Sequence, residues 1–254
     1  MKLNKQFLSA TGLALTFGMF MIPVVGNAKG RGQGTSGGQQ QDISALAANL
    51  PMQDLSELEK SGLIKMREEE KLARDVYQML YDKWGHQTFS NIARGEQQHM
   101  DAMKALLEKY SLKDPIADSS VGVFTDPELE KLYTSLVAQG EKSQVEAFRV
   151  GATIEDLDIK DLYDFIEQTD NTDIRIVYQN LAKGSRNHLR SFTNQLSRNG
   201  IIYEAQFLTT AQINDIVSSP QEGGRVDENG TQQVGNRRSG KGQGRHGGAQ
   251  GVYN

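Results

Sequence analysis

The stretch Gly95-Glu96-Gln97-Gln98-His99-Met100 places a carboxylate and an imidazole three residues apart within an otherwise apolar helical pattern. The face that carries them recurs every three or four residues, through Phe89, Ile92, Glu96, His99, Met103, Leu106 and Tyr110. Burial of a charged side chain without a partner costs free energy. The pattern therefore predicts a helix whose buried face needs a partner for Glu96 and His99, and a metal ion would serve both.

The composition limits the chemistry. The chain has 254 residues, 26 glycines, a net charge of -4 and no cysteine. The absence of cysteine excludes disulfides, thiolate metal sites and cysteine nucleophiles. The charge gives no general case for nucleic acid as a specific partner. A metal ion would have to be held by histidine, carboxylates, other oxygen atoms or water.

Both ends of the chain differ in composition from its centre. Residues 1–28 resemble a secretory signal, with Lys2 and Lys5 before an apolar run and Gly26-Asn27-Ala28 at the cleavage position. Cleavage would leave a secreted, periplasmic or cell-envelope protein without membrane contact, whereas an uncleaved run would be a membrane anchor. Residues 29–52 are predicted as a Gly/Gln-rich linker, and residues 217–254 as a disordered Gly/Arg/Gln-rich tail, solvated or in weak contact with a polyanion.

The centre of the chain is predicted to be all-α, with a four-helix bundle over residues 53–200. Its predicted helices span residues 53–83, 88–110, 126–157 with a break or kink at Gly140, 160–170 and 173–198. Residues 111–125 show no periodicity, and a connection of this length acts as a crossover in helix bundles. Residues 201–216 are expected to pack back onto the bundle.

Each long helix carries a polar residue on its apolar face. The first carries Glu69 or Glu70, which spacing alone does not separate, and the others supply Glu96, His99, Glu155 and His188. Carboxylate and imidazole ligands suit iron, manganese or zinc. We therefore predict a metal site made of Glu70, Glu96, His99, Glu155 and His188.

These residues resemble those of the ferritin-like superfamily, which includes rubrerythrin and ferritin. The segments Glu69–Tyr77 and Gly184–Arg190 are most similar to a branch known as domain of unknown function 2202. The resemblance covers residues 53–200. It implies a site for one or two iron ions, oxidase or peroxidase chemistry on O2 or peroxide, and a separate electron donor, because the chain has no cysteine module of its own. A homodimer is compatible with this resemblance.

One position departs from the family pattern. Ser185 stands where the relatives carry a glutamate ligand, and Glu167, Asp170 or Asp173 are the candidate substitutes. Tyr77 could form a hydrogen bond with a ligand or donate an electron, but packing in the core is the expected role. Three alternatives remain. The polar residues could pair with arginine or pack without a ligand, or the site could be a non-catalytic structural metal site in an envelope interaction module. The third is a ferritin-type storage cage, which the flexible ends and the missing ligand disfavour.

Overall fold

A computed structural model of the chain describes residues 43–233, and the predicted signal segment 1–28 lies outside them. Within this range the chain forms seven helices and one short hairpin. The elements are α1 (Ile43–Asn49), α2 (Glu57–Trp84), α3 (Gln87–Lys109), α4 (Pro127–Gly140), α5 (Gln144–Gln168), α6 (Thr172–Arg198), α7 (Thr210–Ser218), β1 (Arg225–Val226) and β2 (Gln232–Gln233). The all-α prediction is confirmed. None of the helices between residues 43 and 233 is long and apolar enough to cross a membrane.

The four long helices α2, α3, α5 and α6 form a bundle. Short connections make α2 and α3 one antiparallel pair and α5 and α6 another. The pair α2 and α5 is also antiparallel, since Lys65 near the start of α2 bonds Asp161 in the second half of α5, whereas Tyr77 reaches Glu155 in its first half. The connection from α3 to α5 therefore crosses the length of the bundle and lets these two helices run in the same direction.

The crossover contains α4. The sequence-based prediction had joined this segment to the following helix in one run over residues 126–157. Asp126 caps α4, and the helix ends at Gly140. Ser143 then caps α5, which begins again at Gln144. The break predicted at Gly140 is therefore a complete separation into two helices.

The third long helix, α5, extends further than predicted. Residues 160–170 are not a separate short helix, because α5 continues without a break to Gln168. Its apolar stripe also continues, through the buried residues Ile159, Leu162, Phe165 and Ile166. The prediction placed a boundary where the stripe has none.

Two segments assigned to the flexible ends are folded. Residues 43–49 of the predicted linker 29–52 form α1, whose alanine-rich sequence favours helix, and Ile43 packs on the core. Residues 217–233 of the predicted tail complete α7 and form the β1–β2 hairpin, where Val226 is buried and exchanges hydrogen bonds with Asn180 of α6. The predictions were wrong for these two segments, and residues 29–42 and 234–254 lie outside the described range.

Residues 201–209 pack back on the bundle, as expected. Asp156 of α5 holds this segment, accepting hydrogen bonds from the Tyr203 hydroxyl and from the backbone N–H groups of Gln206, Phe207 and Leu208. Asp156 is fully buried, so these four donors satisfy a carboxylate that would otherwise be costly to bury.

Candidate metal centre

The bundle core brings together all five predicted site residues. Their side chains come from α2 (Glu70), α3 (Glu96 and His99), α5 (Glu155) and α6 (His188). Glu96 and His99 project from the same face of α3 because they are three residues apart. The carboxylates are almost completely buried, and the His188 side chain is the most open of the five at 15% exposure.

The first half of the cluster surrounds His99. Its Nδ1 atom lies 2.9 Å from Glu96 Oε2 and 3.1 Å from Glu70 Oε2. One ligand atom from each of these three residues lies within 4.8 Å of the others. An imidazole nitrogen thus faces two carboxylates from different helices at short range.

The second half of the cluster surrounds His188. Its Nδ1 atom lies 2.8 Å from Glu96 Oε1 and 3.5 Å from Glu155 Oε2. The ligand atoms of these three residues also lie within 4.8 Å of one another. Glu96 belongs to both halves and presents a different oxygen to each histidine.

Two glycines allow the histidines to lie this close to the opposite helices. A Cβ atom at Gly184 on α6 would stand 2.5 Å from His99 Nε2, and one at Gly95 on α3 would stand 2.9 Å from His188 Nε2. Each helix carries its glycine four residues before its own histidine, so the arrangement is reciprocal. This repeated Gly-x-x-x-His spacing is a sequence signal that the prediction did not use.

Glu70, rather than Glu69, faces the cluster. Glu69 Oε1 lies 3.0 Å from Lys65, which also donates a 2.6 Å hydrogen bond to Asp161. The two adjacent glutamates therefore contact different neighbours. The spacing alone did not separate them, but in the folded helix Glu70 is the one that lies on the side of the cluster.

Tyr77 orients the carboxylate of Glu155. Its hydroxyl donates a 2.6 Å hydrogen bond to Glu155 Oε1, and its ring packs 5.2 Å from the Phe192 ring. The sequence had favoured packing over a hydrogen bond to a ligand. This hydrogen bond to a candidate ligand fixes the direction of the carboxylate, as outer-shell partners do in metal sites.

A further carboxylate, which the sequence analysis missed, lies next to the cluster. Asp158 on α5 is buried, and its Oδ2 atom lies 2.5 Å from the hydroxyl of Ser185, the position where a glutamate was expected. The three substitutes suggested for that glutamate lie elsewhere. Glu167 and Asp170 are exposed, and Asp173 binds Lys109 and Tyr110. Asp158 follows Glu155 by three residues, a spacing that could have indicated it.

His86 takes no part in the cluster. His86 caps α3 by accepting a hydrogen bond from the backbone N–H of Thr88. His246 lies outside the described residues.

The charges of the cluster are strongly coupled. Burial alone would lower the pKa of His188, but the charges of Glu96 and Glu155 outweigh burial and raise that pKa to about 10. The pKa of His99 is likewise raised well above its ordinary value, because Glu70 and Glu96 outweigh its burial. For Glu96, burial opposes ionisation, yet the two histidines hold its pKa well below the usual range.

The carboxylates around Glu96, namely Glu70, Glu155 and Asp158, are called the outer carboxylates. Their pKa values are raised, whereas that of Glu96 is lowered. Burial raises the pKa of Glu70 to about 7 against the opposing effect of His99, and burial together with Glu96 raises the pKa of Glu155 to about 8. Burial, with Glu70 and Glu155 nearby, raises the pKa of Asp158 well above its ordinary value. Without a cation, the cluster therefore holds protons that a metal ion could replace.

The residues present fit a bound cation. Glu70 Oε1, Glu96 Oε1 and His188 Nδ1 are buried and have no aligned hydrogen-bond partner within residues 43–233, although the last two atoms are only 2.8 Å apart. Buried polar atoms are normally satisfied, so three such atoms within one cluster need an explanation. Oxygen and imidazole donors in this number suit a divalent transition-metal ion.

The arginines of the core do not explain the cluster. Arg67 pairs with Asp114, Arg74 with Asp75, and Arg190 with Glu222. Within residues 43–233, the ion pairs of the five cluster residues are with one another. Pairing with arginine, the simplest alternative for a buried glutamate, therefore does not apply to this cluster.

The fold and the cluster define the chain as an all-α bundle protein with a buried carboxylate–histidine centre. The chain belongs to the family described as an uncharacterized protein domain (DUF2202), whose match spans residues 59–220. That span contains all five cluster residues and the four long helices except the first two residues of α2.

A relative from an archaeon is similar over most of its length. The chain is 56% identical over 177 residues to the uncharacterized protein MJ0754 of Methanocaldococcus jannaschii, covering 70% of this chain and 96% of the relative. A crystal structure of the hypothetical protein MJ0754 from Methanococcus jannaschii aligns with a TM-score of 0.67 at 57% identity, covering 68% of this chain and 99% of that one.

Proposed function

We propose that this protein is an exported ferritin-like metal-binding protein that holds one or two iron ions and acts as a non-haem oxidoreductase on O2 or peroxide. The observation that carries the proposal is the position of Glu96, which presents one oxygen to His99 and the other to His188. A carboxylate shared between two groups of donor atoms is the arrangement expected of a bridge between two ions.

The proposed division of ligands follows the two halves of the cluster. Glu70 and His99 would hold one ion, Glu155 and His188 would hold the other, and Glu96 would contact both. Iron bound there would supply one-electron redox chemistry toward O2 or peroxide. Manganese or zinc would also suit these donors.

The surrounding residues would prepare the site before a metal ion arrives. The hydrogen bond from Tyr77 holds the carboxylate of Glu155 in place. Because Gly95 and Gly184 have no Cβ atom, the imidazoles of the opposite helices have room to lie against them. Burial of Glu70, Glu96 and Glu155 excludes water and strengthens their interaction with a cation. A separate donor would have to supply electrons, because the chain has no cysteine for a redox centre of its own.

The topology supports the ferritin-like part of the proposal. Two antiparallel helix pairs joined by one long crossover are a recurrent bundle arrangement, in which facing helices supply glutamates and a Glu-x-x-His motif to a metal site. This chain has the motif in α3 and a Ser-x-x-His variant in α6. Export remains a proposal based on residues 1–28.

A non-catalytic role is the second candidate. The cluster links all four long helices at their centre, so a metal ion there would also stabilise the fold of an envelope interaction module. Redox behaviour separates the two roles, because a structural ion would not respond to oxidants.

The test is reconstitution of purified metal-free protein with iron(II) without oxygen, followed by metal analysis and addition of O2 or hydrogen peroxide. The proposal predicts up to two irons per chain and oxidant-dependent absorbance changes that Glu96→Gln abolishes. Bound iron that stays unchanged with both oxidants would favour the structural role. Absence of bound metal in the parent protein would contradict both roles.

A further inference from the structure

The two histidine-bearing helices are related position by position around the cluster. In α3 the order is Gly95, Glu96 and then His99, and in α6 it is Gly184, Ser185 and then His188. Each glycine lies against the histidine of the other helix. Ser185 is therefore the counterpart of Glu96, and its fully buried side chain is two bonds too short to supply a carboxylate.

Asp158 supplies a carboxylate oxygen at the distance that a glutamate would give. In a glutamate side chain, covalent geometry places the carboxylate oxygens about 2.4 Å from Cγ. The γ atom of Ser185 is its hydroxyl oxygen, and Asp158 Oδ2 lies 2.5 Å from it. Ser185 therefore holds, from α5, a carboxylate oxygen close to the position where a glutamate on α6 would place its own.

No basic residue accounts for the burial of Asp158. Within residues 43–233 the salt bridges of α5 involve its other acidic residues, and the hydrogen bonds of Asp158 are limited to Ser185. A carboxylate that is only 9% exposed and lacks a cationic partner is costly to ionise. A metal ion in the adjacent cluster would provide the missing positive charge.

We propose that Asp158, positioned by Ser185, is a further ligand of the metal site and replaces the carboxylate that α6 lacks. The inference rests on the proposed function, since it requires that the cluster bind metal. The ligand it concerns is a divalent cation such as iron(II), manganese(II) or cobalt(II).

The Asp158 side chain would have to turn in order to bind. It lies outside the two groups of donor atoms that already converge. A small pocket between α2, α4 and α5, with walls that include Leu72, Leu132 and Ile154, borders Asp158.

The test is a cobalt(II) titration of the metal-free full chain, followed by visible absorption, with metal content measured after gel filtration. We expect two ions in the parent protein. In Asp158→Asn, which keeps the size of the side chain and its contact with Ser185, we expect loss of one ion or at least about tenfold weaker binding of it. Asp161→Asn is the matched control, because Asp161 lies on the same helix but pairs with Lys65.

A rescue variant separates a ligand role from a purely structural one. The double variant Asp158→Ala/Ser185→Glu moves the carboxylate from α5 back to α6 and is expected to restore the second ion. Two ions bound with parental affinity by Asp158→Asn would overturn the inference and leave the proposed function intact. A parent protein that binds no cobalt(II) or iron(II) would overturn the proposed function as well.

Discussion

The imidazole of His99 lies against Gly184 on the opposite helix, and a methyl group at position 184 would stand 2.5 Å from its Nε2 atom. His188 and Gly95 repeat the contact in the other direction at 2.9 Å. Two ring edges thus rest against two backbones, and any side chain larger than hydrogen would push a ring away from the carboxylates.

This contact predicts that Gly184→Ala and Gly95→Ala weaken metal binding by displacing His99 and His188, respectively. Each change should lower the affinity of one ion by ~10-fold or more, as loss of orientation does at metal sites. Isothermal titration with cobalt(II) measures the effect. Gly62→Ala is the control, because its Cβ would meet Phe165 rather than the cluster. Parental affinity in both site variants would show that the rings have room to move.

Because Glu96 would contact both ions, its substitution is expected to reduce the metal content more than substitution of either of the other cluster glutamates. Glu96→Gln should abolish binding of both ions, whereas Glu70→Gln and Glu155→Gln should each weaken mainly one. Glu69→Gln is the matched control, since Glu69 is buried next to Glu70 but faces Lys65. Metal content per chain distinguishes the variants, and equal losses for Glu69→Gln and Glu96→Gln would contradict the assignment.

The hydrogen bond from Tyr77 to Glu155 predicts a stability difference between two tyrosines. Tyr77→Phe should lower the free energy of unfolding by about 1–2 kcal/mol, because it leaves a buried carboxylate without its donor. Tyr178→Phe should be nearly neutral, since the buried Tyr178 hydroxyl has no hydrogen-bond partner in the part of the chain that the structure describes. Denaturant unfolding of the metal-free proteins measures both, and the reverse order would refute the role given to Tyr77.

The raised pKa values of the outer carboxylates predict that the free energy of unfolding of the metal-free protein falls as the pH rises. The pKa of Glu155 is raised from 4.5 to about 8, so the folded state keeps a proton that the unfolded state has released across that window. Stability must therefore fall as the pH increases from about 5 to 8. The Glu155→Gln variant should lack this contribution, so its free energy of unfolding relative to the parent should increase with pH. A difference independent of pH would contradict the argument.

The histidines predict that metal uptake releases protons. His188 has a pKa raised from 6.5 to about 10, so its ring is protonated at pH 7 in the absence of metal, and the pKa of His99 is raised as well. A metal ion binds only the neutral ring, so affinity should rise with pH. A pH indicator in weakly buffered solution measures the protons released per cobalt(II), and His188→Ala should release fewer. Uptake without proton release would mean that these rings are not ligands.

Local periodicity was sufficient to predict the four long helices, apart from the division of α5, and to place the five cluster residues on their apolar faces. A helical stripe that includes Glu96 and His99 shows which way those side chains point once the helix is packed. The boundary between α4 and α5 was also visible, as a glycine at position 140.

What the sequence could not provide depends on contacts between distant segments. The link between Ser185 and Asp158 joins residues 27 positions apart on two helices, and the spacing within either helix does not reveal it. The folding of residues 222–233 likewise depends on pairs such as Glu222 with Arg186 and Val226 with Asn180, although the local composition resembles a disordered tail. Tertiary contacts here override local composition.

The most direct test of the central claim is a crystal structure of the iron(II)- or manganese(II)-loaded protein with anomalous scattering recorded at the metal edge. The account predicts two anomalous peaks, one beside His99 and Glu70 and the other beside His188 and Glu155, with an oxygen of Glu96 bound at each. A cluster without an anomalous peak at saturating metal, and with direct hydrogen bonds between these side chains, would contradict it.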